Sequence, residues 1–108
     1  MNQIKKFFAQ GVKDQLFIMG SPVKIKSMPK GTDSKEFTAV VTSRDGSLQV
    51  DYGGALYSVT AHALIPVNVG VTPKVSDHLL SDGEEYFIVS VVRSVMDEAY
   101  SCDLVKIN

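Results

Sequence analysis

The sequence predicts a mainly β fold, a small antiparallel β-barrel or sandwich with one N-terminal α-helix. Three observations point to it. Apolar residues recur at helical spacing only within the first twenty positions, the period changes to strict alternation after Pro22, and Asp-Gly or Gly-Gly pairs punctuate the alternating runs at close intervals. The chain has 108 residues, 44% apolar and 21% charged, which suits one domain over residues 1–108. At that length a hydrophobic core alone can hold the fold, and the single cysteine leaves no disulfide framework to help it.

Ile4, Phe7, Phe8, Val12 and Leu16 mark one face of an amphipathic helix over about residues 2 to 18. Gly20 supplies a left-handed cap, and Pro22 stops the helix from resuming, so residues 1–20 read as helix and cap. From there residues 21–108 read as barrel. Val23, Lys24, Ile25 and Lys26 alternate apolar and cationic side chains, the pattern of a half-buried strand. Met28 to Glu36 combines Pro, Gly, Asp and Ser with further charges and reads as a mobile loop. Phe37 to Ser43 is a β-rich run ending in Arg44-Asp45-Gly46-Ser47, a tight hairpin turn that makes Leu48 to Tyr52 its return strand. Gly53-Gly54 turns the chain again into a strand over about Leu56 to Thr60, while Ala61 to Leu64 is too short and mixed to assign. Pro66 and Pro73 bracket a surface connection. Leu79 to Ser81 and Glu85 to Val95 flank an Asp82-Gly83 hairpin, and Met96 to Glu98 turn into a last strand from Ala99 to Ile107.

Chemistry is sparse. His62, His78 and Cys102 are the residues that first suggest a metal, but no local pair at ligand spacing fixes two of them. Cys102 alternates with Asp103 and reads as a small core residue. Ser, His and Asp are all present, yet no Gly-x-Ser-x-Gly elbow exposes a nucleophile. Gly31 to Lys35 lacks phosphate-loop spacing and leads into a strand where a helix is needed, and Asp82, Glu84 and Glu85 lack calcium-loop order. Tyr52, Tyr57, Tyr86 and Tyr100 each fall in an alternating strand, where a half-buried tyrosine is the ordinary role. No enzyme and no cofactor are expected.

Interaction is what remains. Charge is near balance overall, with 11 Lys and Arg against 12 Asp and Glu, which disfavours binding nucleic acid through counterion release. It is nevertheless segregated: seven lysines face three carboxylates in residues 1–36, and four cations face nine carboxylates in the remainder. Such polarity suits head-to-tail association between copies. The candidate interaction residues are Lys24 and Lys26 on one strand face, with Lys30, Thr32, Asp33, Ser34 and Lys35 in the loop. No run approaches a membrane span, and the N-terminus lacks a signal-peptide pattern, so a cytoplasmic, reducing origin without a membrane partner is expected.

The helix from Ile4 to Met19 leading into Gly20-Ser21-Pro22-Val23-Lys24-Ile25 is one of two runs that carry a family likeness. The other is Thr72-Pro73-Lys74-Val75-Ser76-Asp77 followed by Asp82 to Val91 (DGEEYFIVSV). Together they resemble the head-to-tail joining (head closure or completion) proteins of tailed bacteriophages, of the lambda-like type. The resemblance covers most of the chain, but no contact residue of that family is carried onto positions 31 to 64. It implies a non-enzymatic structural virion protein of a phage or prophage, made in the host bacterial cytoplasm. Such a protein is a monomer in isolation and assembles as a ring at the portal vertex, between portal or connector and tail proteins. Two other readings stand beside it: a tail-terminator or other minor tail protein, and a small nucleic-acid-binding β-barrel favoured by Lys24 and Lys26.

Overall fold

A computed structural model describes residues 20–96 and 98–107. The expected N-terminal helix lies outside the described residues. Among the described residues there are nine strands: β1 (Ser21–Ser27), β2 (Thr32–Asp33), β3 (Phe37–Ser43), β4 (Gln49–Tyr52), β5 (Ala55–Ser58), β6 (Ala61–Pro66), β7 (His78–Ser81), β8 (Glu84–Ser94) and β9 (Ala99–Ile107). A 3-10 turn, Val67–Val69, follows β6.

Six of these strands close on themselves. The order β1-β3-β6-β9-β8-β7 is antiparallel throughout, and β7 returns to pair with β1, with Lys26 opposite His78 and Val23 opposite Ser81. Closure removes the free edges that an open sheet of this size would present. The alternation in the sequence is the reason the barrel has an apolar interior: Val23 and Ile25 point inward while Lys24 and Lys26 point out. Ala61, Ala63 and Ile65 line the inside of β6, with His62 and Leu64 outside. Ile25, Ile65, Leu79, Ile88 and Leu104 fill the centre, each with at most 2% of its surface exposed. Ala39, Ala61 and Ala63 keep the wall between them thin, so that these five large side chains fit one narrow barrel.

The segment from Met28 to Glu36 is a loop that contains a two-residue strand, β2, hydrogen-bonded to the end of β1. Gly31 at φ 75° turns it, with its N–H donated to the Ser27 carbonyl at 2.7 Å. The Ser34 N–H reaches the Ile25 carbonyl at 2.7 Å, and the Ile25 N–H returns to the Ser34 hydroxyl at 3.0 Å. Asp77, 5% exposed, accepts the Met28 N–H at 3.2 Å and ties the hairpin to the start of β7.

One expected pairing is corrected. β3 pairs with β1 and β6, and the strand after Arg44 to Ser47 is not its return partner. A two-residue hairpin of the expected kind needs positive φ at both central positions, and only Gly46 has it, at 84°. Asp45 instead accepts the Ser47 N–H at 2.9 Å, and the chain turns a corner into β4. The tight turn comes at Gly53-Gly54, φ 61° and 84°, and sends β5 back along β4. The β4–β5 hairpin is thus an arm that extends the β3–β6 pair beyond the barrel, continuous with it through Arg44 N–H to Thr60 O at 2.9 Å and Val59 N–H to Leu48 O at 2.8 Å. By contrast Asp82-Gly83, φ 51° and 76°, forms the hairpin turn its sequence announces.

Candidate functional site

The seven candidate interaction residues do not form one surface. Lys24 and Lys26 sit half-buried on the outer face of β1, and Lys26 is 3.6 Å from Glu85 on β8. Lys30, Thr32, Asp33 and Lys35 are exposed on the β1–β2 hairpin. Ser34 is committed to the fold, because its hydroxyl accepts from Ile25 N–H and donates to the Lys35 carbonyl at 2.8 Å. The hairpin therefore presents lysines on a backbone pinned by Ser34 and Asp77.

A polar chain on the opposite side of the barrel was not legible in the sequence. His62 on β6 stands opposite Asp103 on β9, and Ser101 lies two residues away on the same outer face of β9. With its proton on Nδ1, His62 donates to Asp103 Oδ1 at 3.2 Å and accepts from the Ser101 hydroxyl through Nε2 at 3.0 Å. These are the contacts of a hydrolytic Ser-His-Asp relay, but the surroundings do not complete one. β9 is paired along both edges at Ser101, with Leu64 on one side and Val92 on the other, so its backbone is engaged in the sheet and does not form the sharp turn that exposes a nucleophile. The adjoining cleft opens at the Asp103 end of the relay and not at Ser101. What the arrangement does is satisfy three outward polar side chains and fasten β6 to β9.

That cleft, about 590 Å³, lies where the arm leaves the barrel. Ser43 comes from the end of β3, Arg44, Asp45, Ser47 and Leu48 from the corner, and His62 and Asp103 from β6 and β9. Its charge is two carboxylates against one guanidinium. Hydrogen bonding from Ser47 holds the Asp45 carboxyl below the usual carboxylate range, so it is ionised at neutral pH. Leu48, 53% exposed, gives the cleft an apolar wall.

A second cluster spans β1, β7 and β8. Glu85 bonds His78 and lies near Lys26, and the His78 hydrogen bond followed by the Lys26 charge holds its carboxyl below the ordinary glutamate range. Beside it the Phe87 ring meets Tyr52 at 5.2 Å, Tyr57 at 6.0 Å and His78 at 5.9 Å between ring centroids. Tyr52 and Tyr57 belong to the arm, so these contacts hold β4–β5 against β8. Burial pushes the Cys102 thiol up to about 12, with the Asp103 charge adding to it, which makes this cysteine a core side chain without thiolate character. Among the described residues no three His, Cys, Asp or Glu side chains come together as metal ligands.

The signal that could have found the His62 chain is weak: His62 and Asp103 each sit at an outward position of an alternating run, but 41 residues separate them. Comparison with known proteins adds no identification, since no family model and no curated protein matches the chain.

Proposed function

We propose that the protein joins head to tail in a tailed bacteriophage or prophage, as a non-enzymatic ring component that closes the filled capsid at the portal vertex and presents a surface to the tail. The observation that carries the reading is the run from Thr72 to Val91. Its Pro- and Asp-marked turn leads into the short strand β7, the Asp82-Gly83 turn, the long strand β8 and then β9, in the order the family resemblance implies. The uneven charge along the sequence, basic over residues 1–36 and acidic over the remainder, supports it too, because such polarity favours association between copies. A monomer that gathers on a portal ring gains from many weak contacts made at once, without polymerising beforehand.

The nucleic-acid reading keeps one supporting observation, the outward cations Lys24 and Lys26, of which Lys26 is paired with Glu85. Electron microscopy of particles from phage lacking this reading frame tests the joining role. Filled or leaking heads beside complete, unattached tails, rejoined when the protein is supplied from a plasmid, are expected. Normally joined virions refute it, aberrant tails point to a tail-terminating role, and steeply salt-dependent affinity of the purified protein for DNA or RNA points to the nucleic-acid reading.

A further inference from the structure

The β1–β2 hairpin tip and the cleft at the arm lie at opposite ends of the barrel. β1 runs from Ser21, opposite Ala39 on β3, to Ser27, after which the tip projects. β3 is antiparallel to β1 and continues past Ala39 to Ser43, away from the tip, and opens there onto the cleft. The two features therefore cannot meet within one molecule.

They are complementary in shape and chemistry. The tip is a protrusion of Met28, Pro29, Lys30 and Gly31, exposed throughout, with Met28 at 38%. Its backbone is fixed by the Asp77 and Ser27 hydrogen bonds, so little ordering entropy is lost when it docks. Lys30 makes no ion pair among the described residues. The cleft offers an apolar wall at Leu48 and an excess of one negative charge from Asp45 and Asp103 over Arg44. Its volume of about 590 Å³ is within the range that accepts a small ligand or a few side chains.

We propose that copies of this chain dock end to end, the Met28–Gly31 tip of one seated in the cleft of the next, with Lys30 against Asp45 and Asp103 and Met28 against Leu48. The contact is heterologous, since each copy uses a different patch to give and to receive, and a heterologous contact builds a ring or an open filament. It rests on the ring-forming reading above and names the surfaces that reading needs.

Nuclear magnetic resonance of labelled protein titrated with unlabelled protein tests it, because the two patches report separately. In wild type, amide shifts that grow with concentration up to about 1 mM are expected at residues 28–31 and 43–48, and weaker at 500 mM than at 50 mM salt. Lys30→Glu is expected to weaken self-association at least about tenfold. Leu48→Lys, whose exposed side chain makes no hydrogen bond, is expected to do the same. When unlabelled Leu48→Lys is added to labelled Lys30→Glu, shifts are expected only in the cleft, and with the labels exchanged only at the tip, with no species larger than two copies. Absent shifts at the highest concentration, shifts in one patch alone for wild type, or Lys30→Glu associating like wild type would each overturn the proposal. The particle experiment is independent: joined virions without the protein remove the joining role and leave this contact standing, whereas loss of joining with unaltered Lys30→Glu association removes the contact alone.

Discussion

Replacing Phe87 by alanine is expected to free the β4–β5 arm while leaving the barrel closed. A two-stranded hairpin is marginal by itself in water, so the arm depends on what it rests against. Its two inward tyrosines rest on one ring, Tyr52 at 5.2 Å and Tyr57 at 6.0 Å from Phe87, and they meet each other at 6.3 Å. Each aromatic pair is worth about 0.5–1.5 kcal/mol beyond the area it buries, so removing the shared ring forfeits about 1–3 kcal/mol locally. At about 1.4 kcal/mol per factor of ten, amide-exchange protection of Val50 to Tyr57 is expected to fall roughly 5- to 140-fold. Protection of Ile25, Ile65 and Leu104, which lie in the closed sheet, is expected to change much less. Phe87→Leu, which keeps most of the apolar area without the ring geometry, is expected to fall between. If exchange in the arm is unchanged in Phe87→Ala, the arm is held by its connection to β3 and β6, and the aromatic account is wrong.

Further outcomes follow from the same geometry. Ser34→Ala leaves the Ile25 N–H without its side-chain acceptor and is expected to cost about 1–3 kcal/mol, read as a lower urea midpoint with unchanged slope. Glu85 has a folded pKa below its unfolded value, so the stabilisation from its His78 and Lys26 contacts is present at neutral pH. It is lost as pH falls below the ordinary glutamate range, near 4.3, through the lower folded value. Glu85→Gln is accordingly expected to lower Tm at pH 7 and to close the gap to wild type as the pH approaches 3, and a gap that stays constant refutes it. Cys102, fully buried with its thiol pushed up to about 12, is expected to resist alkylation at pH 8 in the native protein and to react in denaturant. Native reactivity matching the denatured rate would mean the β9 wall opens far more often than its pairing implies.

Much of the strand content was readable because alternation and turn residues are local properties. β3 and β9 begin and end where the sequence predicts, and Asp82-Gly83 makes its hairpin because both positions adopt positive φ. The composition of Met28 to Glu36 predicts a loop, but β2 within it depends on two backbone partners in β1 and on the Ser34 hydroxyl. Local patterning carries no information on those contacts.

What the sequence determined by itself was the mainly β class of the fold and the inner face of β1, since a period of two acts through neighbouring residues alone. Asp82-Gly83 and Gly53-Gly54 announce the β7–β8 and β4–β5 pairs, but which strands distant in sequence pair was decided only in three dimensions. Ala61 to Leu64 has weak strand preference, yet β6 stands between β3 and β9, where small alanines admit the large core side chains and both edges find partners. Arg44 to Ser47 looked like a hairpin and became a corner, because β6 supplied β3 with a partner and the Asp45 carboxylate fixed a different turn. The His62, Asp103 and Ser101 chain, the cleft beside it, and its position opposite the Lys30 tip arise from contacts across tens of residues, which closure of the barrel brings together.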